Sequence, residues 1–378
     1  AWVARWGSGS PVIGILVEFD ALPGLGNDTV PTKTPAKSGN TNGHGCGHNL
    51  IGSGAIGAAI ALKAHMEKER IAGTIKVFGC PAEELLAGKN YMAQAGAFEG
   101  LDACLHHHPG PINAALNFHT TAAMDLTIEW DGTTAHSGQA PWDGRSSVQA
   151  AELFLHGVNM MREHILPTAR MHYYIADGGH AVNVVPDYAK VVFRYCGPST
   201  NNVLKNIAWV KDIAKGAALA TQTKENVKVL TGIYDLLPNM VMADRMTEHI
   251  NRHFPIQWTQ EEQAFAKAIQ KEMGKPEDGM ATNVLPTPQA PEAGGSTEVG
   301  DVSWNTPTMG AVFSAWPQNI APHQWGCTAC HGMSIGHKAV IKAAHVMAAM
   351  GLDLMTDSKL LSDAKAEFDQ RRGGREYK

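Results

Sequence analysis

The fold is decided by residues 12–20, which read VIGILVEFD. The near-continuous apolar run that opens this stretch is typical of a strand buried on both faces of a sheet. Residues 21–24, ALPG, are turn formers and end it. The strand therefore delivers Glu18 and Asp20 to a loop.

The segments that follow alternate between helical and strand patterns. Small and apolar residues recur at helical spacing over 53–68, and the glycine-rich residues 45–49 mark the helix N-terminus. A strand is predicted at 74–80, a helix at 89–95 and a short strand at 103–105. This order predicts an α/β layered domain.

The pattern changes after this first part. Strands and helices are predicted in the order β-α-β-β-α-β, a split βαβ arrangement, at 122–130, 146–164, 171–176, 188–195, 202–223 and 227–234. Helical character returns over 243–273, a loop rich in Pro, Gly and Thr spans 276–308, and a helix is predicted at 334–353.

We therefore predict a catalytic domain in two parts with a domain inserted between them. The two parts are residues 1–117 and 237–378, and the insert is residues 118–236. A chain of 378 residues is long enough for two or three domains. It begins in a strand-like run with neither Met nor a leader, so we expect an N-terminal segment to be missing.

Composition limits the partners. The chain has 31 basic and 36 acidic residues, a net charge of −5, which gives no basic surface for nucleic acid. No uninterrupted apolar run approaches the roughly 18 residues of a membrane span, so no membrane partner is expected. Six cysteines are too few for a disulfide framework, which favours a reducing compartment, the cytoplasm.

The strongest candidate for chemistry is the stretch 43–49, GHGCGHN, before the first helix. Cys46 and His48 offer a thiolate and an imidazole to one metal ion, and the glycines allow the backbone to fold tightly around it. His44 is expected to be a neighbour of the ligands. The alternative is a glycine-rich turn with incidental side chains.

Acidic residues follow the next strand, in the stretch 80–84, CPAEE. Open α/β sheets place ligand crevices at the carboxyl ends of their strands. Beside a metal loop, one of Glu83 and Glu84 could hold the ion while the other accepts a proton from water. The alternative is a solvated helix start.

Histidines follow the third predicted strand, where residues 106–109 read HHHP. They stand at the third successive strand end with ligand-type residues, so we expect the three loops to meet. Two further histidines are individually weak candidates, His136 in TAHSG and His323 in APHQW.

A competing motif is CTACH at 327–331, which has the C-x-x-C-H form that attaches c-type haem. It predicts an electron carrier and leaves the other clusters unexplained. A third hypothesis is a non-catalytic metal-binding scaffold of the same fold, against which the presence of both Glu83 and Glu84 argues.

These motifs, in this order, resemble the M20 family of dimetal peptidases and amidohydrolases, in the branch that uses Cys where others use a bridging Asp. Within it, residues 45–49 and 301–304 are most similar to the p-aminobenzoyl-glutamate hydrolase B-subunit group. The motifs that carry the resemblance are EFDALPG (18–24), GHGCGHN (43–49), PAEE (81–84), HHP (107–109), GTTAHS (132–137), NVVPD (183–187), GSTEVGDVSW (295–304) and IGHK (335–338).

The resemblance implies a dimetal exopeptidase-like α/β/α catalytic domain with an inserted ferredoxin-like lid domain that also dimerises. It implies Glu83 as the general base and two divalent ions per subunit, Zn²⁺ or Mn²⁺. His323 is our choice for the C-terminal ligand, and His331 and His337 are alternatives. The implied ligands are Cys46, His48, Glu84, His108 and His323.

The same resemblance implies roles for three residues of the insert. His136 would reach the partner subunit's site and stabilise the oxyanion, and Asn183 and Arg194 would contact the substrate carboxylate, a task that suits the planar guanidinium. A turn residue and an exposed strand residue are the alternatives for His136 and Arg194. The implied reaction is hydrolysis of small N-acyl amino acids, such as aroyl amino acids or acyl-glutamate, by metal-activated water in a homodimer. The acyl group, the metal and any separate partner subunit stay open.

Overall fold

The computed structural model describes residues 1–253, 256–291 and 295–377, which form two compact units. The first unit comprises Ala1–His119, Leu237–Pro291 and the chain from Asp301 onward. The second comprises Thr120–Leu236 with the described part of Glu292–Gly300. The units contain both sheets and helices, as predicted for the α/β class.

The strands of the described residues are β1 (Trp2–Ser8), β2 (Val12–Glu18), β3 (Gly73–Cys80), β4 (Ala103–Gly110), β5 (Ala114–Ala115), β6 (Ala122–Asp131), β7 (Arg170–Asp177), β8 (Tyr188–Gly197), β9 (Lys224–Ile233) and β10 (Thr308–Ser314). The α-helices are α1 (His48–Glu69), α2 (Gly88–Gln94), α3 (Ser147–Met161), α4 (Thr200–Thr221), α5 (Met240–Arg252), α6 (Gln260–Glu272), α7 (Val299–Ser303), α8 (Trp325–His331), α9 (Ser334–Thr356) and α10 (Ser358–Arg372). Short 3₁₀ turns occur at Glu83–Leu85, Pro141–Asp143 and Arg162–His164.

The sheet of the first unit has the order β1-β3-β2-β4-β10-β5. The four central strands are parallel, and the outer strands β1 and β5 run antiparallel to their neighbours. Pairing sets Glu18 beside Cys80 and His108 beside Val312. Because parallel strands end at one edge of a sheet, the polar residues after β2 and β3 and the histidines of β4 share that edge.

Helix α1 packs closely against the strand that carries the histidines. A Cβ atom added at Gly54 would lie 2.5 Å from Nε2 of His107, closer than real Cβ atoms approach other atoms. Glycine at this position therefore lets the helix lie against β4. The contact brings the N-terminus of α1, which begins at His48, to the site edge of the sheet.

Helix α9 is long and apolar enough, by length and composition, to cross a membrane. The search of the sequence for an uninterrupted apolar run of roughly 18 residues does not detect α9, because its apolar residues are interrupted by polar ones. In the structure its apolar residues belong to the buried core of the first unit, among them Ile335, Ala343, Met347 and Leu354. A core helix passes the same test, so this single helix is weak evidence for a membrane span.

The second unit has the four-stranded sheet β7-β8-β6-β9, in which every pairing is antiparallel. The helices α3 and α4 pack on it. The ring centroids of Trp130 and Phe154 lie 5.4 Å apart, and those of Phe154 and Phe193 lie 6.0 Å apart. These rings belong to a separate buried core, and the element order is the predicted β-α-β-β-α-β.

The expectations about the chain after residue 237 were incomplete: α7, inside the predicted loop 276–308, and α8 were not predicted. The helical stretch 243–273 is two helices, and α6 begins at a capping box in which Thr259 and Glu262 bond each other's backbone N–H groups. Strand β10 was hidden because it directly follows the loop rich in Pro and Gly. The polar helix α10 was not predicted either, because it buries few residues, such as Leu360, Ala364 and Phe368.

Candidate metal and catalytic site

Six of the predicted site residues come together in the first unit. Cys46 and His48 lie where the glycine-rich loop meets α1, and Glu83 and Glu84 lie in the turn after β3. His108 lies on β4, and His323 lies in the loop after β10. Their donor atoms form three overlapping groups in which all atoms lie within 4.8 Å of one another: Cys46, His48 and His108; Cys46, Glu84 and His323; and His48, Glu83 and Glu84.

His48 has the orientation that a metal ligand would need. Its Nδ1 lies 2.9 Å from Oδ1 of Asp20, which leaves Nε2 as the outward nitrogen. This buried Nε2 has no hydrogen-bond partner among the described residues. It lies 3.7 Å from Oε2 of Glu83 and 3.9 Å from Oε1 of Glu84.

The charges around His48 favour a cation at this place. Burial alone would lower the pKa of the imidazole, but the hydrogen bond to Asp20 and the charges of Glu18 and Glu83 raise that pKa to about 9. Burial likewise opposes ionisation of Asp20, yet the bonds from His48 and from the Glu84 backbone lower its pKa to about 2. A metal ion would supply the positive charge that these carboxylates stabilise.

Cys46 and His108 face each other, with 3.4 Å between Sγ and Nε2. Nδ1 of His108 donates to the carbonyl oxygen of Pro109 at 2.6 Å, so Nε2 carries the free lone pair. Burial, followed by the charges of Glu84 and Glu83, raises the pKa of the Cys46 thiol. A thiolate at this position therefore requires a cation beside it.

Glu84 links His323 to the rest of the cluster. Its Oε2 lies 3.3 Å from Nε2 of His323, and its buried Oε1 has no hydrogen-bond partner in the described part of the chain. The backbone N–H of Glu84 donates to Oδ2 of Asp20 at 3.0 Å. The backbone N–H of His323 donates to the carbonyl oxygen of Gly45 at 3.0 Å, which ties its loop to the loop of Cys46.

These residues fit a pair of divalent transition-metal ions. Thiolate, imidazole and carboxylate together are the donor set of zinc and related ions. Cys46, His48 and Glu84 each belong to two of the three groups, so the groups share donors, as neighbouring metal sites do. Within the described residues, Nε2 of His48 and Oε1 of Glu84 are buried polar atoms without a hydrogen-bond partner, which is costly unless an ion binds them.

The structure favours His323 over the two alternative C-terminal ligands. His331 is buried, with Nδ1 donating to the carbonyl oxygen of His44 at 2.7 Å and its ring centroid 5.5 Å from that of Trp316. His337 is exposed on the first turn of α9. Neither belongs to a potential metal-binding group among the described residues.

The sequence predicted that the three histidines follow the third strand of the α/β domain. In the structure they lie within that strand, β4. Successive side chains of a strand point to opposite faces, so His107 faces away from His106 and His108. Nε2 of His107 donates to the carbonyl oxygen of Ile51 at 3.1 Å, and His106 lies against Gly310. Of the three, His108 alone belongs to one of the metal-binding groups found among the described residues.

The C-x-x-C-H motif is structural. Cys327 and Cys330 are fully buried in the core of the first unit, on α8. Covalent attachment of haem needs both sulfur atoms to be accessible, which burial in a packed core prevents. The haem hypothesis is therefore not compatible with this fold.

The remaining predicted residues lie in the second unit. Nδ1 of His136 accepts hydrogen bonds from the backbone N–H groups of Gly138 at 3.2 Å and Gln139 at 3.1 Å. The proton of the neutral ring is therefore on Nε2, which can donate. The backbone N–H of Ser137, next to His136, donates to the carbonyl oxygen of Asn183 at 3.1 Å. The predicted residues His136 and Asn183 therefore lie on adjoining loops.

Arg194 lies on β8 and forms a two-pronged ion pair with Asp125. Its Nε and Nη2 lie 2.6 and 2.7 Å from the two carboxylate oxygens. Any substrate carboxylate at this position would share the guanidinium with Asp125.

Two residues of the site were missed as functional candidates. Asp20 was predicted only to follow the first strand, and in the structure it bonds both His48 and the backbone of Glu84. Lys89 was predicted only as the start of a helix, and in the structure its Nζ lies 2.8 Å from Oε1 of Glu18. The acidic residues at the end of β2 were a signal for Asp20, whereas nothing local marked Lys89.

The α/β sheet with a thiol, imidazole and carboxylate groups at its ligand edge is the arrangement expected of a metal-dependent hydrolase. The profile of peptidase family M20/M25/M40 matches residues 17–313. This protein therefore belongs to peptidase family M20 and is an amide-cleaving hydrolase of a family that binds two metal ions.

Individual relatives agree with this assignment. The B-type subunit of p-aminobenzoyl-glutamate hydrolase from Escherichia coli K12 is 34% identical, with 98% of this chain and 82% of that protein covered. The Xaa-Arg dipeptidase of Mus musculus is 28% identical over 94% of this chain and 73% of its own length. A dinuclear metal-binding M20 peptidase from Bacillus subtilis shares the fold with a TM-score of 0.59, at 17% identity, over 92% of this chain and 85% of that one.

Proposed function

We propose that this protein hydrolyses small N-acyl amino acids, with aroyl amino acids such as p-aminobenzoyl-glutamate as the first candidates. The observation that carries the proposal is the convergence of Glu83 with five potential metal ligands from separate parts of the chain. The substrate class is supported by the relative that is 34% identical and is named as part of a p-aminobenzoyl-glutamate hydrolase.

Two divalent ions would be held by Cys46, His48, Glu84, His108 and His323. Ions bound there would lower the pKa of a bound water molecule and polarise the carbonyl group of the amide that is cleaved. Thiolate and imidazole favour Zn²⁺, and the carboxylate also suits Mn²⁺, so we propose one of these two metals.

We assign the proton transfer to Glu83. It lies in the 3₁₀ turn next to the ligand Glu84, and its Oε2 faces the metal-directed nitrogen of His48. We assign it the role of general base, which accepts the proton of the attacking water and passes it to the leaving amine. The products are a free amino acid and a carboxylic acid.

The second unit would bind and polarise the substrate. The backbone bonds to Nδ1 of His136 leave its Nε2–H as a donor, which is the form that an oxyanion requires. Asn183 and Arg194 would contact the substrate carboxylate, the latter while paired with Asp125. We further propose a homodimer formed through this unit.

We also propose a cytoplasmic location, which the free thiols of all six cysteines support.

The direct experiment is a screen of N-acyl amino acids for amine release, combined with metal analysis. The wild-type protein, loaded with Zn²⁺ or Mn²⁺, should release the amino acid from at least one acyl or aroyl conjugate, and removal of the metals by a chelator should abolish release. Turnover that persists without metal would contradict the proposal.

Mixed dimers test the role of His136. If it acts in the partner's site, inactive His136→Ala chains mixed with inactive Glu83→Gln chains should regain about a quarter of wild-type activity, because half of the dimers are hybrids with one intact site of two. Activity is measured after subunit exchange has been shown for both parents.

The matched control carries both substitutions in one chain. Mixed with Glu83→Gln chains, it cannot form an intact site and should regain nothing. Absence of recovery in the first mixture as well would place His136 in its own subunit's site or outside catalysis.

A further inference from the structure

A fully buried lysine lies beside the metal-binding groups. Lys89 is 0% exposed in the first turn of α2, and its Nζ lies 2.8 Å from Oε1 of Glu18, which is 5% exposed. Moving two charges out of water is costly, and a buried ion pair often contributes little net stability. The pair therefore invites a role other than stability.

Glu18 borders the site without joining the ligands. Its Oε2 lies 3.6 Å from Nε2 of His48. None of the three potential metal-binding groups among the described residues includes it. Glu18 therefore contacts the cluster from the end of β2, while its other carboxylate oxygen is held by Lys89.

Lys89 follows a turn whose backbone needs outside support. The turn carries Glu83 and Glu84, and it is flanked by Ala82 and Leu86, whose φ angles are 57° and 53°. Residues with a Cβ atom rarely adopt this left-handed conformation. Such a conformation persists when the surrounding structure fixes it.

The turn is attached to the end of β2 at two points. At one, the backbone N–H of Glu84 donates to Asp20 at 3.0 Å. At the other, Lys89 extends from the start of the next helix to Glu18. The two acidic residues at the end of β2 thus contact the turn of Glu83 and Glu84 through the backbone of Glu84 and the helix that follows the turn through Lys89.

We propose that Glu18 and Lys89 are a positioning pair that fixes the turn of Glu83 and Glu84 against the metal-binding loop. This inference rests on the proposed function, because it concerns the same site. In this proposal the pair is neither a metal ligand nor a proton acceptor. It acts through Glu83 and Glu84, whose placement decides both metal retention and proton transfer.

The test replaces the pair by neutral side chains of similar size, Glu18→Gln with Lys89→Met. The net charge of the site is unchanged, so a changed metal affinity does not arise from a changed total charge. We expect Co²⁺ affinity and kcat each to fall by about 10- to 100-fold, with KM within about threefold of wild type. The thiolate-to-cobalt absorption of the Co²⁺-loaded protein should also shift.

A second variant covers the case in which the neutral pair does not fold. Glu18→Asp keeps the charge and withdraws the carboxylate by one methylene from Lys89. It should show the same losses to a smaller extent. If the variant that folds keeps the wild-type Co²⁺ affinity, absorption and kcat, and loses only thermal stability, the pair is merely structural and the proposal is wrong.

A matched control uses another Lys–Glu pair of the first unit. Nζ of Lys338 lies 2.7 Å from Oε2 of Glu262, outside the metal-binding groups. Lys338→Met with Glu262→Gln should lower thermal stability but leave Co²⁺ affinity and kcat within about twofold. Wild-type protein that neither binds Co²⁺ nor hydrolyses any conjugate would instead contradict the proposed function itself.

Discussion

Glu83→Gln should lower kcat by at least about 10²-fold while both metal ions stay bound, because the amide cannot accept a proton from water. Glu83 lies beside the proposed ligand Glu84, and its Oε2 is 3.7 Å from Nε2 of His48. The substitution keeps the shape of the side chain and removes only its basicity. The measurement is steady-state kinetics with elemental analysis of the same sample.

The same substitution at the exposed Glu99 provides the control. Glu99→Gln should keep wild-type activity and metal content. If Glu83→Gln retains activity within a few-fold of wild type, the proton acceptor is another residue.

The His48→Ala and Glu84→Ala variants should each lose metal. Their activity should fall by at least about 10³-fold, because the cation no longer lowers the pKa of the attacking water. Both residues belong to two of the three potential metal-binding groups. Removing either leaves the remaining donors too few to hold two ions. Elemental analysis after dialysis against metal-free buffer measures the effect.

His337→Ala is the control for histidine loss. This imidazole is exposed on α9 and belongs to none of the groups found among the described residues, so the variant should keep its full metal content. Retention of two ions per chain by both His48→Ala and Glu84→Ala would show that the ligand assignment is wrong.

Local sequence patterns were sufficient to predict the strand and the glycine-rich loop that carry part of the site. The apolar residues of β2 and the glycine-rich loop before α1 are each continuous in sequence, and their conformations follow from burial and from glycine's backbone freedom. Cys46 and His48 were therefore recognised together as potential ligands, and the edge of the sheet followed from the strand order.

The contacts that position the potential ligands could not be predicted in this way. The bond between Asp20 and the backbone of Glu84 joins residues 64 positions apart, and the pair of Glu18 and Lys89 depends on how two elements pack. Arg194 appeared free to bind a carboxylate because its cross-strand neighbour Asp125 is set by the sheet register. Such pairings arise from the tertiary structure, to which a single sequence gives no direct access.

The central claim is that two divalent ions are held by Cys46, His48, Glu84, His108 and His323. Anomalous diffraction from crystals grown with Mn²⁺ tests it most directly. We expect two anomalous peaks in the first unit, each within about 2.0–2.3 Å of donor atoms of these residues, with Cys46 next to both. The absence of peaks at this cluster, or peaks held by other residues, would contradict it.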